Sequence, residues 1–283
     1  MFKRSFRSFL DDDAVGLSAQ VAYSSLLAFF PAMVFLVGLL DLVGAYDALE
    51  DFLAPVAPGE VVDTLERLQQ DTSTGTSVVA FVVGATLATW AASGAMNAVI
   101  KAVNRAYERV ETRPFWKTRL IAILLVCLTG LVLAGLLLLI VFGGPLGEAI
   151  AEKAGLGGAF DLAWGVLRWP IAFLAILTFF ALTYYVAPNV DVRSWKWLTP
   201  GALIGSLGWL ALSGLFALYT SLSDSYSRTY GALASGIVLL LWLNYSAFAL
   251  LFGAELNSEL DEQAEIRAAG GENAGLVRPS RRV

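Results

Sequence analysis

The chain has 283 residues, of which 57% are hydrophobic and only 15% carry a charge. An ordinary soluble domain is about a quarter charged, so this composition excludes the soluble globular class and indicates a membrane protein. The sequence contains no histidine, which excludes catalysis by a histidine base, Ser–His–Asp triads and zinc sites built on histidine.

Six stretches are long and apolar enough to cross a bilayer, whose hydrocarbon core of about 30 Å requires about 20 helical residues. They lie at about residues 18–43, 78–97, 120–142, 165–187, 199–219 and 233–256. The first is too long for a signal-peptide core and no convincing cleavage site follows it, so we expect it to remain in the mature protein. The predicted fold is all-α, with a six-span membrane domain over residues 1–262 and a disordered cytoplasmic tail over 263–283.

The distribution of positive charge predicts the orientation of these spans. Of the lysines and arginines, 15 lie on the side of the two termini and 4 on the opposite side. Because cytoplasmic loops carry the excess of these residues, we expect both termini in the cytoplasm of a bacterial or archaeal cell. In the first outer loop, "GEVVDTLERLQQ" repeats apolar residues on one helical face and predicts an amphipathic helix. It would either cap the bundle or act as a lid over a cavity.

A series of cations at intervals of four residues follows the second predicted span: Lys101, Arg105, Arg109, Arg113 and Lys117. The span is expected to continue as a helix with this basic stripe until Pro114 interrupts it. Each positive charge near a membrane surface contributes about 1 kcal/mol of attraction to anionic lipid, so the stripe predicts anionic-lipid contacts. The alternative is that these charges only orient the protein.

Small residues recur at intervals of four in two of the predicted spans. The second span carries Ala80, Gly84, Ala88 and Ala92, and the fifth carries Gly201 and Gly205. Small residues at this spacing allow helices to approach closely in lipid, where packing replaces the hydrophobic effect as the driving force. We therefore interpret both series as helix-packing positions.

Five polar residues within or near the spans form the candidate polar cavity or pathway: Gln20, Tyr23, Asn97, Asn244 and Glu255. Ionisable residues inside a span usually face the bundle interior or a water-filled cavity. Glu255 is predicted to lie at the inner end of the bundle, with Lys101, Gln20 and Asn97 as neighbours. It could be a structural tie or part of a substrate or proton pathway, and the amides could equally be interhelical hydrogen-bonding groups.

The sequence offers little support for an enzyme. It contains no Walker motif and no dinucleotide-binding fingerprint. The "DDD" run at 11–13 could hold magnesium, although acids before an apolar span are more typical of a solvated helix start. We therefore predict no catalytic residue, metal site, cofactor or nucleic-acid partner. The expected partners are membrane lipids, anionic ones above all, with a small or lipid-like substrate of unknown identity; a homo-oligomer stays open.

Four segments resemble a known family. They are "LSAQVAYSSLLAFFPAMVFLVGLL", "NRAYERVETRPFWKTRL", "VAPNVDVRSWKWLTPGALIGSLGW" and "YGALASGIVLLLWLNYSAFALLFGAELNSEL", in order across about residues 11–260. They resemble the YihY/BrkB family of bacterial inner-membrane proteins, once widely labelled ribonuclease BN. The positions that match the family pattern include Asn104, Tyr107, Arg113, Phe115, Gly201, Gly253, Glu255 and Asn257.

The resemblance implies a six-span protein of the cytoplasmic membrane whose activity is not settled, with transport-like and cell-envelope roles proposed. Combined with the polar residues in the spans, it favours a transporter-like or lipid-handling protein. A structural scaffold of the envelope without transport is the alternative, and a membrane-associated enzyme ranks third. A cavity that reaches Asn244 would favour transport, whereas a bundle filled from face to face would favour the scaffold.

Overall fold

The structure is a computed structural model that describes residues 5, 9–42, 74–141, 153, 157–190, 199–221 and 232–268. Its six long helices are α1 (Ala14–Leu42), α2 (Thr74–Ala106), α3 (Phe115–Val141), α4 (Gly157–Val186), α5 (Pro200–Ser221) and α6 (Ala232–Ala268). Each overlaps one predicted span, and each contains a segment long and apolar enough to cross a membrane. The prediction of an all-α fold with six spans is confirmed.

Three helices extend well beyond their predicted spans. Helix α2 continues past residue 97 to Ala106, α4 begins at Gly157 instead of residue 165, and α6 continues past residue 256 to Ala268. The end of α6 therefore includes residues 263–268, which the sequence analysis assigned to a disordered tail. The remainder of that tail and the predicted amphipathic helix of the first outer loop lie outside the described residues.

The helices contact one another in chain order, and α6 closes the circuit by packing against α1 as well as α5. Helices α1, α3 and α5 begin at the same end of the bundle at which α2, α4 and α6 end. The ion pair between Asp12 and Arg105 and the hydrogen bond between Gly201 and Asn257 both lie there. We call this end the basic end, because Lys101, Arg105 and Arg113 belong to it.

Packing is densest at the basic end. The largest fully buried apolar side chains described are Phe9, Ile100, Val103, Leu125, Leu251 and Leu256. Toward the opposite end the helices present large apolar side chains outward, such as Val82, Leu131, Val166 and Leu215. Lipid can cover such surfaces without cost, so the basic end is the part of the bundle where packing holds side chains in fixed positions.

Glycine allows close helix contacts at two places. A Cβ atom on Gly84 of α2 would lie 2.9 Å from the backbone of Phe35 in α1, so these helices touch backbone to backbone. Gly201 of α5 faces Gly253 of α6 in the same manner, and a Cβ atom on Gly253 would lie 2.5 Å from the Gly201 carbonyl oxygen. The prediction that small residues mark close helix contacts is confirmed at Gly84 and Gly201.

Helix α2 ends before Pro114 because the chain turns at Glu108. This residue has a left-handed backbone, with φ at 51°. The Arg109 N–H donates to the Asn104 carbonyl at 2.8 Å, and the Glu108 N–H donates to the Arg105 carbonyl at 2.9 Å. These two bonds form a Schellman cap, in which glycine is the usual left-handed residue. The expected helical stripe up to Pro114 is therefore wrong, and Arg109 and Arg113 belong to a loop.

Replacing Glu108 by glycine should stabilise the protein by about 0.5–1 kcal/mol. A left-handed backbone costs a non-glycine residue about 1–2 kcal/mol, and glycine removes this cost. The greater freedom of glycine in the unfolded chain offsets only part of that stabilisation. The thermal midpoint in detergent measures the effect. Glu108→Ala, which removes the same charge but keeps the Cβ atom, is the matched control. Equal midpoints for the two variants would assign the effect to charge instead of backbone strain.

Candidate functional site

A cavity of about 970 Å³ lies at the basic end, walled by the start of α1, the end of α2, the following loop and the start of α3. Its wall includes four cations and three acids: Lys101, Arg105, Arg109, Arg113, Asp12, Asp13 and Glu111. Apolar side chains such as Leu17, Ile100 and Phe115 complete it. The cavity thus combines charged and apolar surface where the helices leave their membrane-spanning segments.

Arg113 is the most tightly held cation of this wall. Its Nε atom donates to Glu111 Oε1 at 2.7 Å, and its Nη2 atom donates to Glu111 Oε2 at 2.6 Å. Nη2 also donates to the Ala187 carbonyl at the end of α4, at 2.8 Å. The guanidinium is therefore fixed by a two-point contact with a carboxylate and by a backbone carbonyl, a geometry that lysine cannot reproduce.

Asn104 ties the same loop to the segment after α4. Its Nδ2 atom donates to Glu111 Oε2 at 2.9 Å, and its Oδ1 atom accepts the Asn189 N–H at 2.7 Å. Asn189 in turn donates through Nδ2 to the Val110 carbonyl at 2.9 Å and to Thr112 Oγ1 at 2.8 Å. Each amide bridges two chain segments, so the loop of residues 107–114 is braced on one side by α2 and on the other by α4.

The other cations of the cavity differ in their partners. Arg105 Nε lies 3.2 Å from Asp12 Oδ1, whereas neither Lys101 nor Arg109 has a carboxylate within ion-pairing distance among the described residues. Lys117 is exposed and does not belong to the cavity wall. Four of the five predicted anionic-lipid contacts therefore surround one cavity, and their role in lipid binding stays a prediction.

Three polar atoms in the cavity wall are buried and have no hydrogen-bond partner within the described parts of the chain. They are Arg113 Nη1, Asn97 Oδ1 and Thr118 Oγ1. An unsatisfied buried donor or acceptor costs about 1–3 kcal/mol, so such groups are uncommon and call for an explanation. The three residues that carry these atoms line a single cavity, and a molecule bound there could satisfy the atoms once the wall opens enough to uncover them.

Glu255 is buried next to this site, at 2% exposure. No described group donates a hydrogen bond to its Oε1 atom. Its nearby charged groups are the carboxylates of Asp12, Glu108 and Glu259 and the guanidinium of Arg105. The cation that acts on Glu255 is thus Arg105, which lies one turn after the expected Lys101 on α2.

Of the other four predicted pathway residues, one lies in the cavity wall and three do not. Asn97 is part of its wall. The side chains of Gln20 and Tyr23 are exposed on α1, with Tyr23 at 59% exposure. Asn244 is half-buried and is not among the residues lining this cavity. The structure therefore brings Asn97 close to the basic residues, while the proposed role of the whole set stays a prediction.

Several residues that build the basic end were not singled out for chemistry by the sequence alone. Asn257 Oδ1 accepts the Gly201 N–H at 2.9 Å, and its Nδ2 donates to Thr199 Oγ1 at 3.0 Å. Asn257 also hydrogen-bonds Tyr107, whose phenol pKa is raised above its usual range by burial. Tyr107 is hence a neutral hydrogen-bonding group. The family pattern marked both residues, but only the structure shows their contacts.

The network around Glu111 predicts a loss of stability in acid. The hydrogen bond from Arg113 lowers the pKa of Glu111 below the ordinary value for a glutamate, and the smaller effects of desolvation and of Asn104 act in opposite directions. A lowered folded-state pKa stabilises the protein above the unfolded pKa, and the contribution is lost as pH falls through the folded value. The thermal midpoint should therefore decrease as the pH is lowered below about 4.5. This decrease should be less steep in Glu111→Gln than in the wild-type protein. Identical slopes in the two proteins would contradict the assignment.

Comparisons with known proteins agree with this architecture. A family model described as virulence factor BrkB matches residues 5–275. The ribonuclease-like protein YfkH of Bacillus subtilis is 30% identical over 265 residues, which cover 93% of this chain and 96% of that protein. A UPF0761 membrane protein of Xanthomonas oryzae is 26% identical over 90% of this chain, and the chain spans 59% of that relative's length. No solved structure matches the chain. With six apolar helices and a family match over nearly its whole length, the chain belongs to the virulence factor BrkB family of membrane proteins.

Proposed function

We propose that the protein is transporter-like and handles lipids or other amphiphiles in the cytoplasmic membrane. The observation that carries the proposal is the cavity at the basic end, which joins cations, unpartnered polar atoms and apolar side chains at the level where helices leave the membrane. Ligand cavities are typically about 300–1,000 Å³, so its volume of about 970 Å³ is large enough for a head group and the first part of an acyl chain.

The surface beside the cavity supports an amphiphilic ligand. Val110 is 78% exposed, Phe115 is 73% exposed and Trp116 is 67% exposed, and all three lie between Arg109 and Lys117 in the chain. Exposed aromatic and basic side chains in one short segment are typical of the membrane interface, where rings contact acyl chains and cations contact phosphates. A lipid approaching the cavity would therefore meet favourable contacts for both its parts.

The proposal includes an orientation, with the basic end and both termini in the cytoplasm. The distribution of lysine and arginine supports it. Cysteine labelling provides the test, once the exposed Cys127 has been replaced by alanine. A cysteine placed at position 275 should resist an impermeant reagent in intact cells and react after the cells are opened. Reaction in intact cells would overturn the orientation.

Lipid movement can be tested in vesicles that contain the purified protein and a fluorescent phosphatidylglycerol. Dithionite bleaches only the label in the outer leaflet, so protein that moves the lipid should increase the bleached fraction above that of empty vesicles. The double variant Lys101→Gln, Arg109→Gln removes the two cavity cations that have no carboxylate within ion-pairing distance among the described residues, and it should slow the movement. Lys117→Gln lies outside the cavity and is the matched control. Bleaching equal to that of empty vesicles would overturn a lipid-moving role.

A structural scaffold is the second candidate, and one observation favours it. Asn244 does not line the cavity. Between Asn244 and the basic end, α5 and α6 touch backbone to backbone at Gly201 and Gly253. A protein that is filled in this way could organise the membrane without moving a substrate. Absence of lipid movement together with an envelope defect in cells lacking the protein would favour the scaffold.

An enzyme at the membrane surface ranks third. The ribonuclease-like name belongs to YfkH, and hydrolysis of RNA by this chain is the corresponding test. Activity in proportion to purified protein, lost in a variant of the cavity, would support the enzyme. Activity that does not follow the amount of protein would come from a contaminant.

A further inference from the structure

We infer that the cavity at the basic end binds a phosphate group that carries a neighbouring hydroxyl, with Arg113 and Thr118 donating to the phosphate and Asn97 accepting from the hydroxyl. The inference rests on the proposed function, because it names the substrate class that the cavity would take. The same chemistry occurs in a phospholipid whose phosphate is esterified to a second glycerol, such as phosphatidylglycerol, and in a free polyol phosphate.

Arg113 has the properties of a phosphate-binding arginine. Its side chain is only 7% exposed, and Glu111 and the Ala187 carbonyl hold its Nε and Nη2 atoms. Nη1 is left buried and without a partner in the described structure. A guanidinium fixed on one side offers its remaining donor at little entropic cost, which favours oxyanions. Glu111 does not neutralise that donor's hydrogen-bonding capacity, because the carboxylate occupies the opposite edge.

Thr118 and Asn97 complement this donor. The Thr118 hydroxyl can donate to a phosphate oxygen, and the Asn97 carbonyl oxygen can only accept. A ligand that satisfies all three atoms must therefore present acceptors to Arg113 and Thr118 and a donor to Asn97. A phosphate ester of glycerol meets this requirement through its phosphate oxygens and a free hydroxyl. A phosphocholine group has no such hydroxyl.

The charges around the cavity favour an anion. Arg105 is paired with Asp12 and Arg113 with Glu111, so the remaining charged residues of the wall are two cations, Lys101 and Arg109, and one acid, Asp13. Helix α3 also begins at the cavity, and its positive end lies at Phe115 in the wall. A helix N-terminus adds attraction for phosphate through its free N–H groups and its dipole. Lys101, Arg109 and the start of α3 therefore all attract an anion to the cavity.

Binding requires a small adjustment of the wall. Arg113 Nη1, Thr118 Oγ1 and Asn97 Oδ1 are each covered by neighbouring atoms. The side chains of Thr118 and Asn97 can turn toward the cavity by rotation about χ1. Arg113 is held in place by Glu111, so the wall atoms that cover its Nη1 atom have to move aside for a ligand to reach it. Arg113 therefore provides the rigid part of the site, and the other two close on the ligand.

The test measures dissociation constants for full-length protein in phosphatidylcholine nanodiscs and phosphate-free buffer. The probes are dihexanoylphosphatidylglycerol, glycerol 3-phosphate, and dihexanoylglycerol, which has the same chains without phosphate. Wild-type protein should bind the first probe and not the third. Binding of glycerol 3-phosphate with equal affinity would identify a soluble polyol phosphate as the source, and much weaker binding would identify a lipid head group. Both results support the site.

Thr118→Val removes the hydroxyl with little change in shape and should raise the dissociation constant about tenfold, as expected for a hydrogen bond to a charged group. Thr129→Val is the matched control, because Thr129 lies on the same helix and its hydroxyl already donates to the Leu125 carbonyl at 2.7 Å. Asn97→Ala should weaken phosphatidylglycerol binding several-fold. Its effect should disappear when the probe is dihexanoylphosphatidic acid, which lacks the hydroxyl.

Two results would overturn the inference: equal affinity of dihexanoylglycerol and dihexanoylphosphatidylglycerol, or wild-type affinity in both Thr118→Val and Asn97→Ala. Failure of the proposed function gives a different result. Protein that binds phosphatidylglycerol in a Thr118-dependent manner but does not move it in vesicles keeps the site and loses the transport role. Protein that moves the lipid equally well with valine at position 118 keeps the role and loses the site.

Discussion

Replacing Gly253 by alanine is expected to disrupt the basic end and to lower the amount of folded protein severely. The added Cβ atom would lie 2.5 Å from the Gly201 carbonyl oxygen and would overlap the Tyr184 hydroxyl. The Gly201 oxygen belongs to the backbone, so no rotation of a side chain can relieve the contact. Helices α5 and α6 would have to separate.

The overlap with the Tyr184 hydroxyl and the separation of α5 from α6 would break hydrogen bonds on both sides of the glycine. The Tyr184 hydroxyl donates to the Leu250 carbonyl at 2.7 Å, and Asn257 accepts the Gly201 N–H at 2.9 Å. Overpacking costs about 1–3 kcal/mol and a lost buried hydrogen bond about 1–3 kcal/mol more, so the total is about 2–6 kcal/mol. This is a large part of the stability of a typical protein, about 5–15 kcal/mol.

Thermal midpoint and membrane abundance measure the effect, with Gly208→Ala as the matched control. Gly208 lies on α5, and a Cβ atom there would meet nothing within 4 Å in the described structure. Alanine also favours a helix over glycine by up to about 1 kcal/mol, so the control should be neutral or slightly stabilising. A Gly253→Ala protein with the stability of Gly208→Ala would show that the two helices do not pack as described.

The helices could be predicted from the sequence because a membrane span is a property of local composition. The contacts between helices could be predicted only in part. Gly201 was identified as a packing position by its spacing from Gly205, but its partner Gly253 is separated from it by most of two spans and a loop. No local pattern pairs two single glycines across that distance, and only the packed structure does.

The polar residues show a second limit of sequence reasoning. In water, the apolar face of a helix marks the side that is buried. In lipid both faces are apolar, so periodicity does not distinguish the interior from the exterior. Gln20 and Tyr23 were placed in a pathway because they are polar, and the structure leaves both exposed, whereas Asn97 with the same chemistry lies in the cavity wall.

The prediction that the basic stripe continues as a helix to Pro114 was wrong for a different reason. Its four-residue spacing is that of a helix, but the left-handed backbone of Glu108 ends α2 before Arg109. Glutamate is an unusual residue at that position of a Schellman cap, so the sequence gives no warning of the turn. The stripe still identified four residues of the cavity, because the loop folds back over the helix from which it comes.

Replacing Arg113 by methionine is expected to destabilise the protein by about 3 kcal/mol. The change removes two hydrogen bonds to the Glu111 carboxylate and leaves the Ala187 carbonyl without its side-chain donor. Hydrogen bonds to charged groups contribute about 1.5–3 kcal/mol each, but Glu111 is 31% exposed and water replaces part of the loss. Methionine fills a similar volume, so the loss of stability comes mainly from the lost polar contacts and not from an empty space left by a smaller side chain.

A double-mutant cycle with Glu111→Gln separates the pair from its surroundings. If the ion pair braces the loop, the double variant should be less destabilised than the two single variants added together, with a coupling of about 1–3 kcal/mol. Arg113→Lys keeps the charge but should still lose most of the stabilisation that Arg113 contributes, because an ammonium cannot reach both carboxylate oxygens and the Ala187 carbonyl at once. Strictly additive effects, with lysine as good as arginine, would mean that Arg113 acts as a simple surface charge. The fixed guanidinium on which the phosphate site depends would then not exist.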